Sequence, residues 1–184
     1  MVGRASSAYE RELRALLEGE PTAVRAYGRN LEPGERASFE QLIREPYLVI
    51  RGAGSLGFDL VALRREFALP LEVKASSEAV IRFTAASGRA DAQLAAHRRA
   101  VGRVGLTVLY AYRRIGLRSE EPWRMFLASA PPDTGVLRVI CRRVPPLSTT
   151  RDGHGILRWE EGMPLSRFLD TARFLLDRPG LAAT

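Results

Sequence analysis

Three residues are placed where they can do chemistry together: Asp59, Glu72 and Lys74. They stand in two short apolar runs, Phe58-Asp-Leu-Val-Ala-Leu63 and Leu69-Pro-Leu-Glu-Val-Lys74, separated by a polar turn. Side chains alternate along a strand, so Glu72 and Lys74 share one face while Leu71 and Val73 share the other. If the two runs pair as a hairpin, Asp59 comes beside Glu72, and two carboxylates and an ammonium meet at one end of a sheet. Hard oxygen donors of this kind suit Mg²⁺, with Mn²⁺ as a substitute. Such an ion supplies Lewis-acid and hydroxide chemistry to a phosphodiester, with a lysine to orient water or neutralise charge. The bland alternative is a solvated strand face carrying an ordinary Glu-Lys pair.

Four features weigh against that alternative. The acids interrupt strongly apolar strands, where an unpaired charge is costly. The turn ahead of Asp59, Arg51-Gly-Ala-Gly-Ser55-Leu-Gly57, is glycine-rich and suited to bringing backbone N–H groups to phosphate. Lys74 is the only lysine in a chain whose other basic residues are all arginine. A sequence that otherwise uses the planar guanidinium everywhere has kept a compact ammonium at this one place. Upstream, Glu10-Arg11-Glu12 offers a further acid to the site.

The elements that must hold these residues follow from periodicity. Residues 8–17 read as a helix with Ser7 as N-cap, Glu10 closing a capping box, and an apolar stripe of Leu13, Leu16 and Leu17. The segment 18–36 is polar and broken by Pro21, Gly28, Pro33 and Gly34, with a short helical piece at 23–27; a second helix follows at 38–44. The period then shortens to that of strands at 47–51, 58–63, 70–74 and 79–83. A helix is expected at 90–101 and a strand buried on both faces at 105–112, with further strands at 123–128 and 136–142. A loop at 145–155 precedes a closing amphipathic helix at 165–176. This order predicts one α/β domain spanning 1–184 with a mixed central β-sheet flanked by helices, an inserted segment at about 18–46 and a C-terminal helical extension at about 155–178.

Bulk properties fit that picture. Hydrophobic residues make up 46% of the 184 and charged residues 27%, an ordinary globular balance. The net charge of +7 favours a polyanionic partner, although an arginine-rich surface also arises from composition alone. No apolar run approaches the roughly 20 residues of a membrane helix, and the charged N-terminus carries no secretory pattern. With a lone cysteine, Cys141, the expectation is a cytoplasmic protein.

Four blocks, Ala8-Tyr-Glu-Arg-Glu-Leu13, Val49-Ile-Arg-Gly-Ala-Gly-Ser55, Phe58-Asp-Leu-Val-Ala-Leu63 and Leu71-Glu-Val-Lys-Ala-Ser76, together resemble archaeal Holliday junction resolvases of the Hjc type, members of the PD-(D/E)XK nuclease superfamily. The likeness continues more loosely through Ile81-Arg-Phe83, the Gln93-Leu94 helix and the strand at 105–112, roughly two thirds of the chain. It implies a restriction-endonuclease-like core and a Mg²⁺-dependent endonuclease. It also implies a homodimer with two active sites on a branched DNA. Matched by position, it assigns Glu10, Asp59 and Glu72 to the metal, with Lys74 in catalysis and Ser55 in catalysis at the DNA; Arg11 and Arg51, next to these residues, are expected as further DNA contacts. Two departures stand out: Phe58 occupies the place of the superfamily's proline, and the segment 18–46 is long where the family has a short turn.

Other candidates carry less. His97, beside Arg98 and Arg99, reads as solvated or DNA-facing rather than a ligand. His154 has no partner at metal spacing, and Cys141 reads as an incidental thiol despite the arginines that follow it. The pairs Arg64-Arg65, Arg98-Arg99, Arg113-Arg114 and Arg142-Arg143 offer a phosphate track, though such pairs usually solvate a surface. GxxxxGK[ST] is absent, so nucleotide use is not expected. Three readings stand: a junction resolvase, a restriction- or repair-type nuclease of the same superfamily, and a nuclease-like DNA-binding subunit without activity.

Overall fold

The computed structural model describes residues 3–52, 57–65, 67–83, 89–117 and 120–176. Its elements, in chain order, are α1 (Gly3–Leu17), α2 (Pro21–Gly28), α3 (Pro33–Glu40), β1 (Leu48–Arg51), β2 (Leu60–Arg64), β3 (Phe67–Ser76), β4 (Val80–Arg82) and α4 (Arg89–Gly102). They continue with β5 (Leu109–Arg114), β6 (Trp123–Leu127), α5 (Gly135–Cys141), β7 (Ser148–Thr149), β8 (Gly155–Arg158), β9 (Met163–Pro164) and α6 (Leu165–Leu176).

Six strands form a mixed sheet in the order β1-β2-β3-β5-β6-β9, and β4, β8 and β7 form a smaller antiparallel one. Within the large sheet β3 and β5 run parallel and the other neighbours antiparallel. The chain crosses from β3 to β5 through α4, the connection a parallel pair requires. Alternate side chains serve two cores. Leu71, Val73, Leu109 and Ala111 pack under α1, α2, α3, α5 and α6. Tyr110, Tyr112 and Phe126 pack with Leu94 and Val101 of α4 and with Leu157 and Trp159 beside the small sheet. The molecule is therefore an α/β fold with a mixed central sheet covered on both faces. Among the described residues no helix is long and apolar enough to cross a membrane.

Several local expectations are revised. Ser7 lies inside α1 and does not cap it, because the helix already runs from Gly3. Pro21 and Pro33, read as breaks, each stand in the first turn of a helix. Proline is tolerated there because its missing N–H would have had no helical partner. Glu20 caps α2 by accepting from the Thr22 and Ala23 amides, and Glu35 closes a capping box on Glu32. The segment 18–46 thus holds two capped helices, and its Val24, Leu31 and Phe39 belong to the α1-side core. The strand expected at 136–142 is the helix α5. Its Val136, Ile140 and Cys141 are buried at helical spacing, and this packing outweighs the β-rich composition. The expected loop at 145–155 contains β7 and the start of β8, and β8 and β9 precede α6 at the C-terminal end.

Candidate active site

Backbone pairing alone brings the two acids together. β2 and β3 are antiparallel with Leu60 opposite Leu71, and the Asp59 amide donates to the Leu71 carbonyl at 3.1 Å, so Asp59 faces Glu72 across the ladder. The end of β1 clamps the same residue: Gly52 N–H donates to the Asp59 carbonyl at 2.9 Å. Only glycine permits this crossing, since a Cβ at position 52 would overlap the Phe58 carbonyl oxygen. Gly57, at φ +74°, supplies the left-handed bend that turns the chain into Phe58 and Asp59.

Asp59 Oδ2 accepts from the Val73 amide at 2.8 Å, which fixes the carboxylate at the head of the hairpin. Burial raises its pKa, opposed by that amide. Glu72 is only 2% exposed. One of its oxygens, Oε1, accepts from Lys74 Nζ at 2.6 Å, and Lys74 also donates to Gln93 Oε1 at 3.1 Å. The other oxygen, Oε2, is buried and has no hydrogen-bond partner among the described residues. Desolvation pushes the Glu72 pKa up to about 7, against the pull of the Lys74 ammonium and with a further push from Asp59.

The remaining expected site residues lie around this pair. Glu10 comes from α1 and is ion-paired with Arg51 at 3.2 Å. It is near enough for its charge to raise the Asp59 pKa. Among the described residues no three His, Cys, Asp or Glu side chains are gathered closely enough to hold a metal by themselves. Glu12, the other acid of its triplet, points elsewhere and accepts from Arg113 Nε and Trp123 Nε1. Arg11 and Arg51 are exposed. Ser55 lies outside the described residues. Of the arginine pairs, Arg64 bonds Glu45 and Arg65 donates to the Leu176 carbonyl, so both tie elements together.

A divalent ion fits the pair by two observations. A buried carboxylate oxygen without a donor is unusual, because such groups are normally satisfied. The ammonium against Oε1 shows that the site accepts positive charge.

His97 departs from its expected solvated position and lies at the site. It is not solvated: α4 carries Leu94, His97 and Val101 on one inward face, and His97 is 2% exposed. Its Nε2 contacts the Gly57 carbonyl, and its Nδ1 lies 2.9 Å from the Tyr110 hydroxyl. A carbonyl only accepts, so Nε2 carries the proton and Tyr110 donates to Nδ1. Burial lowers the ring's pKa and favours this neutral form. The same Nε2 lies 3.9 Å from Glu72 Oε2. The i, i+3, i+7 stripe with Leu94 and Val101 is the sequence signal that His97 faces inward.

No family model matches the sequence, and no curated protein matches it. Among solved structures the chain is similar to Hjc of Archaeoglobus fulgidus, a Holliday junction resolvase from an archaeal hyperthermophile. That likeness has 17% identity and a TM-score of 0.47, covering 74% of this chain and 92% of that one.

Proposed function

We propose that the protein is a metal-dependent DNA endonuclease with Asp59, Glu72 and Lys74 at its centre, cutting four-way junctions as a homodimer. The observation that carries the nuclease reading is the meeting of two carboxylates and the sole lysine at one sheet end, with Glu72 Oε2 buried and without a donor among the described residues. Asp59 and Glu72 would hold Mg²⁺ or Mn²⁺, with Glu10 as the third acid; the ion supplies a Lewis acid for the phosphodiester and a source of hydroxide near neutral pH. The Val73 amide fixes Asp59, so one ligand is already oriented before substrate arrives. The Lys74 ammonium, anchored by Glu72 and Gln93, is positioned to steady a phosphate oxygen or the attacking water. Arg11 and Arg51 on the exposed rim, with Ser55 in the adjoining turn, serve the DNA backbone. Preference for a four-way junction, and the two-fold assembly that symmetric cutting needs, rest on the sequence resemblance.

The test is a cleavage panel of four-way junction, splayed arm, flap and linear duplex with Mg²⁺ or Mn²⁺, run alongside light scattering. Junction cutting by a dimer is expected, abolished in Asp59→Asn and Glu72→Gln while DNA binding persists. Cutting that survives EDTA or either substitution refutes the site. A monomer that treats junction and duplex alike removes the resolvase and leaves the nuclease.

A further inference from the structure

The proposed chemistry leaves His97 without a task, yet its placement is specific. It rises from α4, takes a hydrogen bond from Tyr110 of β5, and reaches the backbone two residues before Asp59. The Phe58 ring lies against it, with centroids 4.7 Å apart. The same ring nitrogen that meets Gly57 faces the donorless oxygen of Glu72 at 3.9 Å. One imidazole therefore holds the bend that delivers Asp59 and lies beside Glu72.

A ligand role does not suit this geometry. Nδ1 is taken by the Tyr110 hydroxyl, and Nε2 presents a hydrogen rather than a lone pair toward the site. Simple packing does not account for it either, since a leucine would fill the space without holding a carbonyl. We propose that His97 is a positioning residue: it pins the Gly57–Asp59 bend against Glu72 and so fixes the separation at which the two carboxylates share a divalent ion. This rests on the metal-site reading above and adds to it the part that orders the ligands. Residues that orient ligands from behind typically change metal affinity by about 10–100-fold when removed.

The experiment is a Mn²⁺ titration of the full chain, followed by calorimetry and by the paramagnetic resonance of free Mn²⁺, with thermal melts on the same samples. His97→Leu is expected to bind Mn²⁺ about 10–100-fold more weakly. Cleavage should then need correspondingly more metal and recover at saturation. His97→Gln, whose amide N–H can reach the Gly57 carbonyl, should regain most of the affinity. Tyr110→Phe, which frees the ring to turn, should lose several-fold. A folded His97→Leu that binds like wild type overturns the proposal. So does a His97→Gln no better than His97→Leu when both melt normally. If His97→Leu does not fold, Tyr110→Phe decides: unchanged Mn²⁺ affinity in the folded protein overturns it. Wild type that takes up no Mn²⁺ removes the metal site and His97 with it, whereas normal wild-type uptake with indifferent variants removes His97 alone.

Discussion

Glu72 is held in a place that penalises its charge, and that penalty has a measurable pH dependence. Its folded pKa, about 7, lies above the ordinary 4.5, so the fold binds this proton more tightly than the unfolded chain does. The corresponding stability is fully present below about pH 4.5 and is lost as pH rises through about 7. At pH 8 the ionised carboxyl costs the fold on the order of 3 kcal/mol. Glu72→Gln, an isostere that never ionises, should therefore melt several degrees above wild type at pH 8 and together with it near pH 4.5. Equal melting at both pH values would show that Glu72 is not strained by burial. The acid pair is legible in the sequence because alternation and antiparallel pairing are local rules. The role of His97 is not, since it depends on the distance from α4 to β3, and the arginines beside it suggest solvent.

At the scale of elements, the junction between β6 and α6 depends on another buried acid. Glu121 is fully buried and accepts from the Ser166 amide at 2.9 Å and the Ser166 hydroxyl at 2.6 Å, holding the first turn of α6. Glu121→Ala leaves that turn without its acceptor and opens a void, so a loss of about 2–3 kcal/mol is expected in urea unfolding. A change below about 0.5 kcal/mol would mean that α6 is held by its apolar face alone. This contact joins residues far apart in the chain, and nothing in local spacing announces it. Residues 136–142 depart from the expected strand for a similar cause: valines and isoleucine favour a strand until α6 provides the surface on which Val136 and Ile140 pack as a helix. The strands expected at 47–51 and 58–63, with turn residues between them, are legible to within one or two positions.

For the molecule as a whole, the segment 18–46 is built into the fold. α2 and α3 complete the core on the α1 side, and Ser38 donates to Asp170 of α6 at 2.8 Å, while Glu72 and His97 lie on the α4 side of the sheet. The segment is thus structural support on the face away from the acid pair. If the protein acts on DNA as proposed, its +7 charge strengthens binding through counterion release. Binding to any DNA in the panel should weaken steeply with salt, at a log-log slope of roughly −0.9 for each phosphate contacted. A flat salt response would exclude arginine-phosphate contacts as the source of affinity.

The solitary lysine has a practical consequence. Its side chain is 21% exposed and engaged by Glu72, Gln93 and, at 5.9 Å, the ring of Tyr110. Apart from the terminal amine, an acylating reagent therefore has one target in the whole chain, and that target is at the candidate site. A lysine-specific protease likewise has one bond to cut, after Lys74, yielding two fragments. Acylation of Lys74 in the folded protein should be slow and should accelerate in Glu72→Gln, read as a mass increment on the intact chain beyond that of the terminal amine, with loss of the cut after Lys74. Equal rates would mean that the ammonium is not held. The molecule carries its own site-specific reporter, and labelling can follow occupancy of the site without any assay of strand cutting.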